Sequence, residues 1–245
     1  AQFIDRHLDE GRADKVAVID SHGEYTYSDL ARRVNQAGNA LVGLGLEPES
    51  RVFMCMLDTV DLVAVFWGAI KAGLIPIPVN TLLTTTDYDY MLSDSRARVA
   101  IITDGLWDRF ESIVDSKSNL HSVLISGTSC PDGRDSLAGA LAASASSLQC
   151  ADTTCDDVAF WLYTSGSTGA PKGAMHLQRD LYFTAATYGD QVLGIREDDV
   201  VFSAAKLFFA YGLGNGMTFP LHVGATAVLL DERPTPQAVM SVMKA

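Results

Sequence analysis

This sequence of 245 residues is poor in the features that mark exported, membrane-bound or metal-clustered proteins. Its four cysteines form no C-x-x-C pair and have no histidine at metal-ligand spacing, so neither a zinc site nor a disulfide framework is predicted. No apolar run reaches the roughly 18 residues needed to cross a bilayer, and the first residues do not resemble a secretory signal. We expect a cytoplasmic protein with no membrane partner, whose thiols are reduced: Cys55, Cys130, Cys150 and Cys155.

Positive charge is also scarce. The chain has 18 lysines and arginines against 30 aspartates and glutamates, which gives a formal net charge of −12. Such a chain repels nucleic acid, so we expect no nucleic-acid partner, although local amides and a few cations can still hold a nucleotide. The histidines show no serine or aspartate partner pattern, and none is assigned to acid–base catalysis: His7, His22, His121, His176 and His222.

What the sequence does contain is a regular alternation of apolar strands and helices. Hydrophobic residues make up 48% of the chain and charged residues 20%, which is enough apolar surface for a sizeable core. Short apolar runs alternate with segments of helical periodicity over nearly the whole length. This order predicts an α/β fold with layered, largely parallel sheets and flanking helices.

Capping and turn residues predict several element boundaries. A helix is expected from Ser28 as N-cap to a stop at Gly45, and a last helix from Thr235 as N-cap. The two prolines of Ile75–Val79 suit an edge strand better than a central one. Further helices are expected near residues 60–72, 86–94, 106–116, 136–147 and 177–193. The acidic residues of the helix near 86–94 predict a solvated face: Asp87, Asp89 and Asp94.

The most informative segment is Tyr163–Gly173, which reads YTSGSTGAPKG. The apolar run before it, Val158–Leu162, predicts a buried strand that leads directly into a loop. Glycines let backbone N–H groups approach phosphate oxygens, hydroxyl groups donate further hydrogen bonds, and Lys172 supplies positive charge. The composition therefore predicts a polyphosphate-binding loop.

Two other kinds of loop have a similar composition: an ordinary surface turn and a Walker-type phosphate loop. Gly, Ser, Thr and Pro are common in ordinary surface turns, and that alternative stays open. A Walker-type loop is excluded, because it requires Gly-Lys followed by Ser or Thr, whereas this chain has Lys172-Gly173 followed by alanine.

Tyr163–Gly173 resembles the AMP-binding signature of the adenylate-forming superfamily, which includes acyl- and aryl-CoA synthetases and peptide-synthetase adenylation domains. Two upstream segments agree in order and spacing. Tyr25–Leu30 resembles the early tyrosine-to-leucine segment of the superfamily, and Gly68–Asn80 resembles its KAG…PVN segment. Each of these alone could be a packing segment, but the ordered triple favours the family.

Ser203–Asn215 narrows the resemblance to benzoate–CoA ligases. Many relatives have a histidine at the position of Phe209, which borders the acyl pocket in the family. The resemblance implies a flat apolar slot for an aromatic ring, the alternative being that these aromatics fill the core. Lys206 is expected to have a surface or structural role rather than to bind carboxylate. The slot would be formed by Phe208, Phe209, Ala210, Tyr211 and Gly212, with Gly212 and Gly214 letting backbone approach the ring.

The resemblance also implies a two-step reaction. An aromatic carboxylate attacks the α-phosphate of ATP to give an acyl-adenylate and pyrophosphate, and the thiol of coenzyme A then displaces AMP. Mg²⁺ would bridge phosphate oxygens, and no metal ligand is assigned to the protein. Lys172 would be the catalytic cation, the alternative being a solvated surface lysine. The phosphates would be bound by Thr164, Ser165, Gly166, Ser167, Thr168, Gly169 and Lys172.

Members of the superfamily combine a large N-terminal domain with a small C-terminal one. We expect residues 1–245 to be a truncated N-terminal domain, with the C-terminal domain absent and the last helix barely begun. Within it we expect a first α/β sheet over residues 45–195, which carries the loop, and part of a second sheet over residues 1–44 plus 196–245. We expect this chain to be inactive alone, and the intact enzyme to be a possible homodimer.

Two further functions stay open. A fatty-acyl–CoA synthetase or an amino-acid adenylation domain has the same type of loop, although the Phe208–Gly212 segment argues against both. A nucleotide-binding or scaffold module without catalysis would also contain it. A panel of acids would separate the first pair from an aryl–CoA ligase.

Overall fold

The computed structural model describes residues 2–164 and 169–244, and strands and helices alternate along them. The strands are β1 (Val16–Asp20), β2 (Gly23–Thr26), β3 (Arg51–Cys55), β4 (Ile75–Pro78), β5 (Val99–Thr103), β6 (Ser122–Ser126), β7 (Asp135–Ser136), β8 (Val158–Thr164), β9 (Lys172–Leu177), β10 (Val200–Phe202) and β11 (Thr226–Val228). The α-helices are α1 (Asp5–Asp9), α2 (Tyr27–Gly43), α3 (Val60–Lys71), α4 (Thr85–Ser95), α5 (Leu137–Ala142), α6 (Gln178–Thr184), α7 (Ala210–Leu213), α8 (Phe219–Val223) and α9 (Pro236–Val242). Within the described ranges, no helix has the length and apolar character to cross a membrane.

The first sheet is parallel throughout and has the strand order β4-β3-β5-β6-β7. Its strands are buried on both faces: Val52 and Met54 of β3 join one hydrophobic cluster, while Phe53 and Cys55 join another on the opposite face. Parallel sheets require this double coverage. β4, with its two prolines, lies at the end of the strand order, as the sequence predicts.

The second sheet has the order β10-β11-β1-β2. Its first three strands are parallel, with Val18 of β1 opposite Ala227 of β11, and β2 returns antiparallel to β1. Together the two sheets confirm the α/β fold with largely parallel strands. The boundaries expected for the two units, 45–195 and 1–44 plus 196–245, stay a prediction.

Helices α2 and α3 cross at close range, and two glycines permit the contact. A Cβ placed on Gly68 would lie 2.7 Å from the carbonyl oxygen of Val34 and 2.8 Å from the backbone nitrogen of Gly38. The surrounding cluster contains side chains from both sheets, among them Val18 and Val52. The two sheets therefore share one continuous core.

Helix α2 begins two residues earlier than the sequence-based boundary. Its N-cap is Thr26 instead of Ser28, because Thr26 and Asp29 form a reciprocal capping box. The backbone N–H of Asp29 donates to Thr26 Oγ1 at 3.1 Å, and the N–H of Thr26 donates to Asp29 Oδ2 at 3.2 Å. The helix ends at Gly43, and Gly45 follows with a φ of 73°. The last helix begins as predicted, with Thr235 as N-cap and Pro236 in the first turn.

Three other helical segments differ from expectation. Residues 106–116 contain two short 3₁₀ turns, Asp104–Arg109 and Val114–Ser116. The segment 177–193 is α6 followed by a π-helical stretch, Ala185–Val192. The segment 136–147 is shortened to α5. The acidic residues of α4 are more than a solvated face: Asp87 caps the helix with Thr84, Asp89 pairs with Lys117 at 2.6 Å, and Asp94 accepts a hydrogen bond from Tyr163.

Candidate nucleotide and acid site

The predicted loop begins and ends on an antiparallel hairpin. β8 pairs with β9, and Thr164 lies opposite Lys172. The sequence predicts a helix near residues 177–193 but no strand before it. β9 was not predicted because its hydrophobic alternation is weak. Because Thr164 and Lys172 are partners, the segment between them leaves and re-enters the hairpin at one end. Of the predicted phosphate ligands, Ser165, Gly166, Ser167 and Thr168 lie outside the described residues.

The end of β8 is anchored to α4. The hydroxyl of Tyr163 donates to Asp94 Oδ2 at 2.7 Å, and β8 also lies beside β4. Burial of the phenol, together with this hydrogen bond, raises the pKa of Tyr163 well above its ordinary value. The hydroxyl therefore stays protonated and remains a donor. This hydrogen bond fixes the end of β8, from which the loop departs.

Lys172 and Gly169, which flank the undescribed residues, are suited to an anion. The Lys172 side chain is exposed and makes no ion pair with any residue in the ranges 2–164 and 169–244. Gly169 has a φ of 150°, and a Cβ placed there would meet nothing within 4 Å. Glycine adopts this backbone conformation readily, whereas other residues do so rarely. The end of the hairpin thus combines the exposed ammonium group of Lys172 with free space beside the backbone of Gly169.

A cavity of about 240 Å³ lies between this hairpin and the residues around Phe208–Tyr211, called the aromatic segment below. Thr164 and Pro171 form one side of it, and Phe208 and Phe209 form another. Phe208 is buried, whereas Phe209 is half exposed; the two rings are 4.6 Å apart. The structure therefore brings the flanks of the predicted phosphate loop and part of the predicted aromatic slot to one cavity.

Further lining residues were not assigned to the site from the sequence. They include Pro78 and Asn80, which belong to the KAG…PVN segment, and Tyr163. Asn80 is held by its own turn: its Oδ1 accepts the N–H of Leu82 at 2.9 Å, and its carbonyl accepts the hydroxyl of Tyr88 at 2.8 Å. The resemblance of that segment to the family was a signal that could have placed Asn80 here.

The other predicted slot residues lie in different surroundings. Ala210 lines a second cavity, of about 120 Å³, and Tyr211 is 70% exposed and lines neither cavity. Gly212 is buried, and a Cβ there would lie 2.0 Å from the carbonyl oxygen of Lys206. Glycine at 212 is thus required by contact with the protein's own backbone. Gly214 similarly faces the Phe219 ring, at 2.6 Å from a built Cβ.

His176 lines the second cavity, a role that the sequence did not predict. Its ring stacks on Phe160 with centroids 4.6 Å apart and an angle of 8° between the planes. Its Nδ1 is 3.7 Å from Asp180 Oδ2. Ala210 and Leu213 line the same cavity as this ring.

A larger cavity, of about 510 Å³, lies elsewhere, between α1, the end of α3, α6 and the Cys150–Cys155 connection. It is lined by no residue of the predicted loop or slot, so the smaller cavity beside the hairpin is the better candidate. In the described part of the chain, no group of three or more His, Cys, Asp or Glu side chains is placed to hold a metal ion. The cysteines are free thiols, and burial raises the pKa of Cys55 to about 12.

The chain belongs to the AMP-binding enzyme family, whose model matches residues 5–245. It is 53% identical over 243 residues to a benzoate–CoA ligase of Thauera aromatica, a match that covers 99% of this chain and 46% of the relative. A benzoate CoA ligase from Burkholderia xenovorans LB400 superimposes with a TM-score of 0.89 at 44% identity, over 99% of this chain and 48% of that structure. An anthranilate CoA ligase, AuaEII, solved with anthranoyl-AMP, gives a TM-score of 0.94 at 35% identity, over 99% and 46%.

These matches agree in extent as well as in fold. The chain spans about half the length of the curated relatives and solved structures it matches.

Proposed function

We propose that the protein carrying this chain is an AMP-forming benzoate–CoA ligase. It activates an aromatic carboxylate with ATP and transfers the acyl group from the adenylate to coenzyme A. The observation that carries the proposal is the cavity of about 240 Å³ shared by Thr164, Pro171, Phe208 and Phe209. It sets the flanks of a phosphate loop beside an aromatic wall, as joining ATP to an aromatic acid requires. The 53% identity to a benzoate–CoA ligase supports the same assignment.

The loop binds the polyphosphate in this proposal. Lys172 neutralises charge on the departing pyrophosphate, which is the electrostatic contribution that nucleotidyl transfer needs most. Its side chain is exposed and has no ion-pair partner among the described residues, which supports that role. Mg²⁺ would supply further charge neutralisation when it is bound with the nucleotide, and no residue of this chain is assigned to hold it. The backbone and hydroxyl groups that wrap the β- and γ-phosphates are those of Thr164, Ser165, Gly166, Ser167, Thr168 and Gly169.

The aromatic ring lies against Phe209 in this proposal. An apolar wall binds a benzene ring by burial and by edge or offset contacts with Phe208 and Phe209. Ala210, Tyr211 and Gly212 remain part of the proposed slot as neighbours of Phe209: Gly212 allows the chain to pack closely on the carbonyl of Lys206, and the exposed Tyr211 side chain is free to contact a bound acid. A long alkyl chain or a charged amino acid would gain less from a flat aromatic wall.

The remaining assignments follow from the same reaction. Coenzyme A and ATP are cytoplasmic metabolites, so we infer a cytoplasmic enzyme with three small-molecule partners: an aromatic acid, ATP and coenzyme A. We include a homodimer of the complete protein in this proposal, and only the family resemblance supports it. We expect the 245-residue chain by itself to yield no benzoyl-CoA, because it spans less than half of the ligases it matches.

The test is acid-dependent exchange of pyrophosphate into ATP by the complete protein. We expect exchange with benzoate to exceed exchange with acetate, a long-chain fatty acid or an amino acid, and benzoyl-CoA to form when coenzyme A is added. Exchange with a fatty acid and none with benzoate would refute the assignment. No exchange with any acid, together with retained ATP binding, would favour a nucleotide-binding module without catalysis.

Lys172→Met tests the loop within the same assay. Removing the cation should lower the exchange rate at least about tenfold, with the temperature of unfolding nearly unchanged because the side chain is exposed and unpaired. Arg196→Met removes another exposed cation, in the connection before β10 and outside the cavity, and should leave both quantities unchanged. Equal rates in wild type and Lys172→Met would remove Lys172 from the mechanism.

A further inference from the structure

Asp58 is a buried carboxylate that touches the aromatic segment from the opposite sheet. It follows β3 of the first sheet and is 5% exposed. Its Oδ2 accepts the backbone N–H of Leu207 at 3.1 Å and lies 3.9 Å from the ammonium of Lys206. The two partners are about 150 residues further along the chain. A single side chain thus ties the start of the aromatic segment to the first sheet.

Lys206 continues this connection into the second sheet. Its ammonium donates to the carbonyl oxygen of Leu230, which follows β11, and only 13% of the side chain is exposed. The lysine is therefore committed to protein partners, in agreement with the structural role expected from the sequence. Asp58, Lys206 and Leu230 form a polar bridge between the ends of the two sheets.

This bridge leaves the carboxylate of Asp58 only partly satisfied. Asp58 Oδ1 has no hydrogen-bond partner among the described residues, and burial raises the pKa of Asp58 to about 6 despite the attraction of Lys206. Burial also lowers the pKa of Lys206. Both directions mean that desolvation outweighs mutual attraction, and apolar residues often replace such pairs without loss of stability. A costly, half-satisfied carboxylate in a core calls for another explanation.

The residues that Asp58 holds are those that shape the candidate site. Leu207 is followed by Phe208 and Phe209, which line the cavity beside the hairpin. The carbonyl of Lys206 accepts the N–H of Phe209 at 3.0 Å and is also the atom against which Gly212 packs. A shift of the Lys206–Leu207 backbone would therefore move both the aromatic wall and the start of α7.

We propose that Asp58 is a positioning residue that sets the aromatic wall of the acid slot by holding the backbone of Lys206 and Leu207. Asp58 does not line the cavity, so it acts through the segment that it holds and is not itself in contact with substrate. The link to an aromatic acid rests on the proposed function, whereas the link to the segment does not.

The experiment compares Asp58→Asn and Asp58→Ala with Asp61→Asn in the complete protein. Asp58→Asn keeps the shape and one acceptor for the Leu207 amide but removes the charge, and it carries the test where the alanine variant does not fold. Asp61 is the matched control: it lies three residues away, pairs with Arg33 at 3.1 Å and does not touch the aromatic segment. Two quantities are measured, amide hydrogen exchange of a peptide spanning residues 203–209, and the KM values for benzoate and ATP.

We expect Asp58→Ala to accelerate exchange in the 203–209 peptide and to raise the KM for benzoate about tenfold. Asp58→Asn, which keeps an acceptor for the Leu207 amide, should change both quantities in the same direction but less, and in both variants the KM for ATP should change by less than about twofold. Asp61→Asn should change neither. Unaltered exchange in a folded Asp58 variant would overturn the proposal. So would faster exchange with an unaltered KM for benzoate, because the segment would then be released without consequence for the slot. If the wild type turns over no acid, the proposed function fails, and the exchange result alone decides whether Asp58 holds the segment.

Discussion

At the scale of single residues, His7 shows how burial fixes a protonation state. Its side chain is fully buried, and Nε2 lies 2.7 Å from the carbonyl oxygen of Leu221. Nδ1 is 3.3 Å from an Arg12 guanidinium nitrogen, which can only donate. The ring is therefore neutral, with Nε2–H donating and Nδ1 accepting. Burial, followed by the charges of Arg6 and Arg12, lowers the pKa of His7 despite the hydrogen bond to Leu221.

This geometry predicts a loss of stability in mild acid. The unfolded chain, in which the histidine pKa is about 6.5, binds more protons than the folded chain, so the stabilisation is complete above that pH and declines as the pH falls. The free energy of unfolding of wild type and His7→Gln should be measured by denaturant titration between pH 7.5 and 5.5. We expect the difference between the two proteins to be largest at pH 7.5 and to shrink toward pH 5.5.

The control for this prediction is His22→Gln, because His22 is exposed in the turn between β1 and β2. Its stability should follow that of wild type over the same pH range. A difference between wild type and His7→Gln that stayed constant with pH would mean that His7 does not change its protonation on unfolding.

Motifs in the sequence led to residues that the fold brings together, whereas contacts with partners distant in the sequence could not be predicted. Thr164 and Phe209 were assigned to the site from motifs, and the structure places both at one cavity. Asp94 was expected on a solvated face, yet it holds Tyr163, which lies 69 residues away in the sequence. Nothing local distinguishes an aspartate that will meet such a partner from one that will not, because the meeting is a product of the fold.

At the scale of elements, the α2–α3 crossing depends on the absence of two side chains. The helices approach until backbone atoms of Val34 and Gly38 occupy the space where a Cβ on Gly68 would project. Backbone cannot rotate away as a flexible side chain can. The contact therefore specifies glycine for steric reasons, independent of any need for an unusual φ.

Gly68→Ala should destabilise the protein by about 1–3 kcal/mol, the usual range for overpacking a close contact. Gly43→Ala is the matched control, since Gly43 is likewise a helical glycine, at the end of α2, but has no atom within 4 Å of its built Cβ. Alanine favours helix over glycine by up to about 1 kcal/mol, so the control should be neutral or slightly stabilised. Thermal and denaturant unfolding would measure both, and equal effects of the two substitutions would contradict a close helix crossing.

Element prediction succeeded where periodicity was strong and failed where it was weak. α3 was predicted almost to the residue, because its apolar run is long and is followed by Gly73. β9 was missed because its six residues, KGAMHL, contain glycine and lysine and are only partly buried. The start of α2 was displaced because Thr26 and Ser28 are both good caps, and only the reciprocal bond to Asp29 decides between them.

At the scale of the whole molecule, the two sheets were foreseeable as an α/β fold, whereas the pairing between distant strands was not. β1 and β11 lie side by side although more than 200 residues separate Val18 from Ala227. Periodicity reports which face of a strand is buried, and it carries no information about which strand lies next to it. The shared hydrophobic cluster then makes the two sheets one structural unit rather than two.

A shared core predicts that the two sheets unfold together, although chains of this size often unfold in steps. Tyr27→Phe tests this prediction. The hydroxyl of Tyr27 is buried and donates to the carbonyl of Ala225 beside the second sheet at 2.7 Å, so its loss should cost about 1 kcal/mol or more. Trp107 and Trp161 pack on the far side of the first sheet and report its unfolding by fluorescence. We expect Tyr27→Phe to shift the fluorescence transition and the far-ultraviolet circular dichroism transition by the same amount.

Tyr90→Phe is the control for this prediction. Tyr90 is a more exposed tyrosine on α4, and its substitution should shift neither transition. If the two sheets were independent, Tyr27→Phe would split the transitions and leave the tryptophan signal of the first sheet in place, because its effect would then be confined to the second sheet.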